Sequence, residues 1–185
     1  MLLPIYLYGQ AVLRKEAHEV PADYPDIKVL VENMFQTMEK ANGVGLAAPQ
    51  VGLDIRMFVV DGNGLESDFP ECQGFRRCMI NPEIIEESEE TNIKDEGCLS
   101  VPGIYESVKR PNWIVIRYLD ENFEEHEEKI TGFAARMTLH EYDHLDGKMF
   151  IDRVSPLRKQ LIKNKLSAIL KGKVDVQYKY KGKKG

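Results

Sequence analysis

Apolar side chains recur at Ile27, Leu30, Val31, Met34, Phe35, Met38 and Ala41, the spacing that lines one face of a helix. The pattern predicts a helix over residues 26–41, ended by Asn42-Gly43, a pair suited to the left-handed turn that closes helices. Residues 43–52 are rich in glycine and alanine, carry Pro49 as a breaker, and read as a loop. Ile55 to Val60 reads as a buried strand. Residues 61–77 turn polar, with Gly62 and Gly64, and read as an exposed loop. Short strands are expected at 78–86, 104–109, 113–119 and 124–130, with Asp120-Glu121-Asn122 as a hairpin turn. Residues 132–145 form a second helix, closed by Asp146-Gly147. A third begins at Ser155-Pro156, an N-cap followed by proline at the first helical position, and runs to about Leu170. Strands outnumber helices and do not alternate with them, which places the chain in the α+β class.

The chain has 185 residues, 43% of them hydrophobic. Residues 1–170 fit a single domain able to bury its own core. Beyond it, Lys171, Lys173, Lys179, Lys181, Lys183 and Lys184 face only Asp175, so 171–185 is expected to be a basic, flexible tail. The net charge of −5 gives no case for DNA or membrane binding, and the longest apolar stretches fall far short of a membrane span. Met1-Leu2-Leu3-Pro4-Ile5-Tyr6 shows no signal-peptide pattern. Cys72, Cys78 and Cys98 are an odd number at uneven spacing, which argues against a disulfide framework. The expected location is a reducing cytoplasm, where a cysteine near histidines points to metal binding or catalysis.

His140-Glu141-Tyr142-Asp143-His144 matches H-E-x-x-H. On a helix this spacing puts both imidazoles on one face, one turn apart, where they can share a metal ion, and Glu141 can reach a water on that ion. Catalytic metal sites commonly add a third protein ligand and keep one position open. No Glu or His follows residue 144, so the third ligand is sought upstream. Cys98, in Glu96-Gly97-Cys98-Leu99-Ser100, is the best candidate, and a thiolate with two imidazoles suits zinc or ferrous iron. Cys72 and Cys78 read as buried, inert thiols, and His18 and His126 as surface residues.

Gly43-Val44-Gly45-Leu46-Ala47-Ala48 also contains G-x-G-x-x-A. A dinucleotide fingerprint needs a strand before it and a helix after it; here a helix precedes and Pro49 follows. The better reading is a loop whose backbone approaches a ligand closely, with Gln50 offering an amide donor to a cleft.

Gly43-Val44-Gly45-Leu46-Ala47-Ala48-Pro49-Gln50, Glu96-Gly97-Cys98-Leu99-Ser100 and His140-Glu141-Tyr142-Asp143-His144-Leu145 resemble, in order and spacing, the three signature motifs of peptide deformylases. Val12-Leu13-Arg14-Lys15 resembles that family's N-terminal stretch, and the likeness runs from about residue 5 to 170. Leu139 stands where many members carry Gln, and the 61–77 loop looks longer than in short members. The resemblance implies removal of the formyl group from the N-terminal formyl-methionine of nascent chains, releasing formate. It implies one divalent ion on Cys98, His140 and His144, ferrous iron in the cell with zinc a common substitute. It also implies an α+β fold with the metal-binding helix among antiparallel strands.

The expected chemistry is amide hydrolysis, with Glu141 as general base and then acid. Gln50 and the Leu99 N–H are expected to stabilise the oxyanion. The peptide is expected to add as a strand near Val44, Gly45 and Gly97, with Tyr105, Phe133 and Met137 around the methionine side chain. The C-terminal helix and basic tail are expected to serve ribosome contact and not catalysis. Two other readings are weaker: a generic zinc peptidase lacks its downstream ligand here, and a structural or sensing metal module lacks a fourth ligand.

Overall fold

A computed structural model describes residues 1–182. In chain order its elements are β1 (Ile5–Tyr6), α1 (Ile27–Lys40), β2 (Gly45–Ala47), β3 (Met57–Asp61), β4 (Arg76–Glu87), β5 (Thr91–Cys98), β6 (Val101–Pro111), β7 (Trp113–Leu119), β8 (Glu125–Thr131), α2 (Gly132–Leu145), α3 (Pro156–Leu170) and β9 (Tyr180–Lys181). The fold is α+β. An antiparallel sheet runs in the order β2-β3-β4-β7-β8, β5 and β6 form a separate hairpin, and β9 pairs in parallel with β1.

The alternation of side chains along the central strands divides the core in two. On β3, Phe58 and Val60 face the layer under α2, whereas Met57 and Val59 face the layer under α1; Met79 on β4 joins the first, and Cys78 and Ile80 the second. Successive strand residues point to opposite faces, so β3 is buried on both sides and its apolar run is continuous. Phe58, Val59 and Val60 are fully buried, each contributing about 1.5–3 kcal/mol of transfer free energy. A third apolar cluster gathers β1, β6 and α3, including Leu7, Ile104 and Ile162. Helix α2 therefore runs through the middle, with the sheet on one side and the β5–β6 hairpin nearby. No described helix is long and apolar enough to cross a membrane.

The helix ends follow local chemistry. Asn42 takes φ 58° as α1 stops, and the Gly43 N–H donates to the Met38 carbonyl at 2.9 Å, a Schellman-like closure. Ser155 Oγ accepts from the Arg158 N–H at 3.3 Å ahead of Pro156, as the N-cap reading predicts.

Four segments differ from expectation. Residues 45–47 are not loop but an edge strand, Gly45-Leu46-Ala47 pairing with Val60-Val59-Phe58. This strand has too few residues, and too little β propensity, to show as a pattern. Thr91–Cys98 is a strand that charged residues disguised. Its partner β6 begins at Val101, three residues before the expected start. Residues 61–77 are not simply exposed: Cys72 and Phe75 are buried, and Phe69 stacks on Phe133 with ring centroids 4.2 Å apart. Glu71 from that loop accepts the Phe133 N–H at 2.8 Å, satisfying a free donor in the first turn of α2. Finally, the chain beyond 170 runs back across the molecule. Lys179 and Lys181 carbonyls accept from the Ile5 and Leu7 N–H groups, each at 2.9 Å. Lys183 and Lys184 of the expected tail lie outside the described residues.

Candidate metal centre

Cys98 ends β5, and His140 and His144 lie one turn apart on α2; one potential ligand atom from each falls within 4.8 Å of the other two. Cys98 Sγ stands 3.4 Å from His144 Nε2. His140 and His144 are 8% and 1% exposed. Burial and the neighbouring His140 push the His144 pKa down to about 3, keeping that ring in the neutral form that binds metals. Burial also opposes a charge on His140, yet its bonds to Cys98 and Glu96 hold its pKa well above the usual value. The donor set and its closeness fit one divalent ion with a position left open.

Beside these donors, Glu141 Oε2 and His144 Nδ1 are buried without a partner among the described residues. Burial lifts the Glu141 pKa to about 7, His140 pulling it down and Glu96 adding to the rise. That value suits a proton acceptor and donor near neutral pH. Space for Glu141 comes from the glycine motif: a Cβ at Gly45 would stand 2.5 Å from Glu141 Oε1, and one at Gly43 would stand 2.7 Å from Leu99 Cδ1. Neither glycine has positive φ, so close approach is what keeps both positions small.

Gln50 is 1% exposed, in a short 3-10 turn after β2. Its Oε1 accepts the Ala47 N–H at 2.9 Å, and its Nε2 donates to Ser100 Oγ at 3.1 Å and to Cys98 Sγ at 3.4 Å. The side chain is thereby locked, with one N–H spent only on a weakly accepting sulfur.

A cleft of about 540 Å³ opens over these groups, within the range of small-ligand sites. Val44, Gly45, Gly97, Leu99, Tyr105, Phe133 and Met137 all line it, with Gln50, Cys98, His140 and Glu141, whereas His144 lies behind. Met137 is buried, and Tyr105 stands on the rim, 72% exposed, against the Gly97 backbone. The cleft also has a wall that sequence reading left out, Asp175 to Tyr178. Burial, then Cys98 and Tyr105, raise the Tyr178 pKa to about 12, so its hydroxyl remains a donor. Cys72 and Cys78 are buried away from the site; burial lifts the Cys72 thiol to about 11 and Cys78 further.

The site stands on a buried charge network that sequence reading also missed. His140 Nδ1 donates to Glu96 Oε1 at 2.9 Å, which turns Nε2 toward Cys98 and His144. Glu96 also accepts from Arg110 at 2.9 and 2.8 Å and from Arg136 at 2.7 Å. Arg110 reaches on to Asp143 at 2.7 Å, and Arg153 closes on Asp143 with two bonds of 2.7 Å. Burial alone would lift both carboxylates. Arg110 and His140 hold Glu96, and Arg153 and Arg110 hold Asp143, below the ordinary range. Because these values are lowered by folding, their stabilisation is present above the ordinary carboxylate pKa and is lost as pH falls through the folded values. Removing one partner strands a buried charge. Arg110→Leu is accordingly expected to cost about 3–5 kcal/mol, read as a lower urea midpoint at pH 7.

Residues 2–160 match the family model described as polypeptide deformylase. A peptide deformylase of Christiangramia forsetii is 49% identical over 97% of this chain and 95% of its own, and one of Flavobacterium johnsoniae is 44% identical over 98% and 96%. The chain belongs to the peptide deformylase family. The crystal structure of the Thermotoga maritima peptide deformylase superposes with a TM-score of 0.76 at 40% identity, covering 84% of this chain and 99% of that one. A Plasmodium falciparum peptide deformylase structure gives 0.82 at 35% identity, covering 91% and 95%. As a peptide deformylase the chain is a metal-dependent hydrolase that removes the formyl group from the N-terminus of nascent peptides. The α+β arrangement matches its structural neighbours.

Proposed function

We propose that Cys98, His140 and His144 hold the ion and that Glu141 moves the proton during deformylation of formyl-methionine. The observation that carries this is the buried Glu141, its pKa near 7 and its Oε2 unpartnered among the described residues, beside the three donors. When bound, the ion polarises the formyl carbonyl and makes hydroxide available at neutral pH. Glu141 takes the proton of the attacking water and delivers it to the departing α-amine, so that formate and a free N-terminus leave. The oxyanion formed at the formyl carbon is stabilised by the Gln50 Nε2 N–H that otherwise meets only Cys98 Sγ, and by the Leu99 N–H.

Orientation comes from strand edges. β2 is an edge of the central sheet and β5 an edge of its hairpin, and Val44, Gly45 and Gly97 face one cleft. An extended peptide between them gains main-chain hydrogen bonds. Phe133 and Met137 form the apolar floor for the methionine side chain, with Tyr105 at the mouth. Ferrous iron is the ion proposed for the cell, with zinc able to replace it, since thiolate and imidazole accommodate both. Formate release from formyl-Met-Ala-Ser, with none of the corresponding acetate from acetyl-Met-Ala-Ser, checks the substrate; equal hydrolysis of both would reject it.

Gln50→Leu is expected to lower kcat by about a hundredfold to a thousandfold, as for other oxyanion donors. The change in KM should be much smaller, because the contact belongs to the transition state. An effect confined to KM would make Gln50 a binding residue.

The cytoplasm is the proposed location, and neither DNA nor a membrane is a proposed partner. The ribosome is. Lys159, Lys163 and Lys165 on α3 and Lys171, Lys173, Lys179 and Lys181 after it are exposed, and such a basic surface is attracted to RNA. Co-sedimentation with ribosomes is expected at low salt and should fade as salt rises; its absence at low salt would remove this partner.

A further inference from the structure

Asp175 to Tyr178 line the cleft although they lie far along the chain from every signature motif. Their placement has a clear cause. After α3 the backbone turns at Gly172, φ 74°, and the next residues are tied down where β9 meets β1. Val174 and Tyr178 pack on the third core cluster beside Cys98 and Leu99. The Tyr178 hydroxyl donates to the Leu99 carbonyl at 2.6 Å.

The turn between β5 and β6 is thus held from three directions. Gln50 Nε2 meets Ser100 Oγ at 3.1 Å, the Tyr8 N–H meets the Ser100 carbonyl at 2.8 Å, and Tyr178 meets Leu99. All three contacts fall on the turn that carries the Leu99 N–H.

We propose that Tyr178 is a positioning residue, its hydroxyl fixing Leu99 so that the Leu99 N–H is aimed at the reacting carbonyl. This rests on the reading of that N–H as an oxyanion donor. An oxyanion donor acts only when it already points to where charge develops. Without the Tyr178 hydroxyl, the Leu99 carbonyl loses its bond, and the Leu99 dihedrals that link that peptide to the preceding one, which bears the donor N–H, are less constrained. The ring has a second effect: with Asp175 to Gln177 it closes one side of the cleft.

The test is Tyr178→Phe, which removes the hydroxyl and keeps the ring. With formyl-Met-Ala-Ser and iron-loaded protein, kcat is expected to fall about fivefold to tenfold, the scale of one neutral hydrogen bond. KM and metal content should stay as in the parent. Tyr178→Leu also removes the ring and is expected to raise KM in addition. Unchanged kcat in Tyr178→Phe overturns the proposal, as does a change confined to KM or a kcat loss matched by lost metal. Gln50→Leu separates the two levels. If it lowers kcat and Tyr178→Phe does not, only the positioning role fails; if neither lowers kcat, the oxyanion reading fails with it.

Discussion

Glu141→Gln is expected to retain its metal and to lose at least about a hundredfold in kcat, the lower end of what a positioned acid–base group contributes. Glutamine matches glutamate in size and so preserves the packing at Gly45, where the side chain lies too close for any added carbon. It cannot accept a proton. The buried carboxylate sits at about 7, so at neutral pH it divides between the form that takes a proton and the form that returns one. The metal ligands are other residues, and metal analysis should give parent-like content. Near-normal turnover in a metal-loaded Glu141→Gln protein would remove Glu141 from the chemistry.

Cys98→Ala is expected to abolish formate release and to weaken metal binding by at least about a hundredfold, beyond the loss usually seen for an outer-shell partner. The thiol contributes one of the three clustered donors and lies 3.4 Å from His144 Nε2. Cys72→Ala and Cys78→Ala serve as controls, since both thiols are buried in apolar clusters. They are expected to lose some stability and keep their metal. Full metal occupancy in Cys98→Ala would take Cys98 out of the ligand set.

Elements whose pattern is local were legible. Helix α2 could be read end to end because its own residues bring His140 and His144 onto one face. Strand β7 could be read because Ile114, Ile116 and Tyr118 alternate toward the core. What escaped reading depends on partners distant in sequence. Lys94-Asp95-Glu96 looks like solvent-exposed chain, yet Glu96 is buried because Arg110, Arg136 and His140 surround it. No pattern within β5 announces those partners. β2 needs β3 to be a strand at all, and β1 and β9 are short segments joined from opposite ends of the chain.

The site divides along the same line. The histidines and Glu141 follow from one motif, and Cys98 from the lack of any other candidate beyond residue 144. The Glu96–Arg110–Asp143 support and Tyr178 are visible only once the chain is folded. A run of lysines read as tail, and as irrelevant to catalysis, contains a tyrosine bonded to Leu99. Truncation after Leu170 would remove that contact together with the basic residues.

The most direct measurement is a titration of metal-free protein with ferrous ion under anaerobic conditions, following formate release from formyl-Met-Ala-Ser. The donor set of Cys98, His140 and His144 predicts no release without metal, then a linear rise that breaks at one ion per chain. Release by metal-free protein, or a metal-saturated protein that releases none, would contradict it.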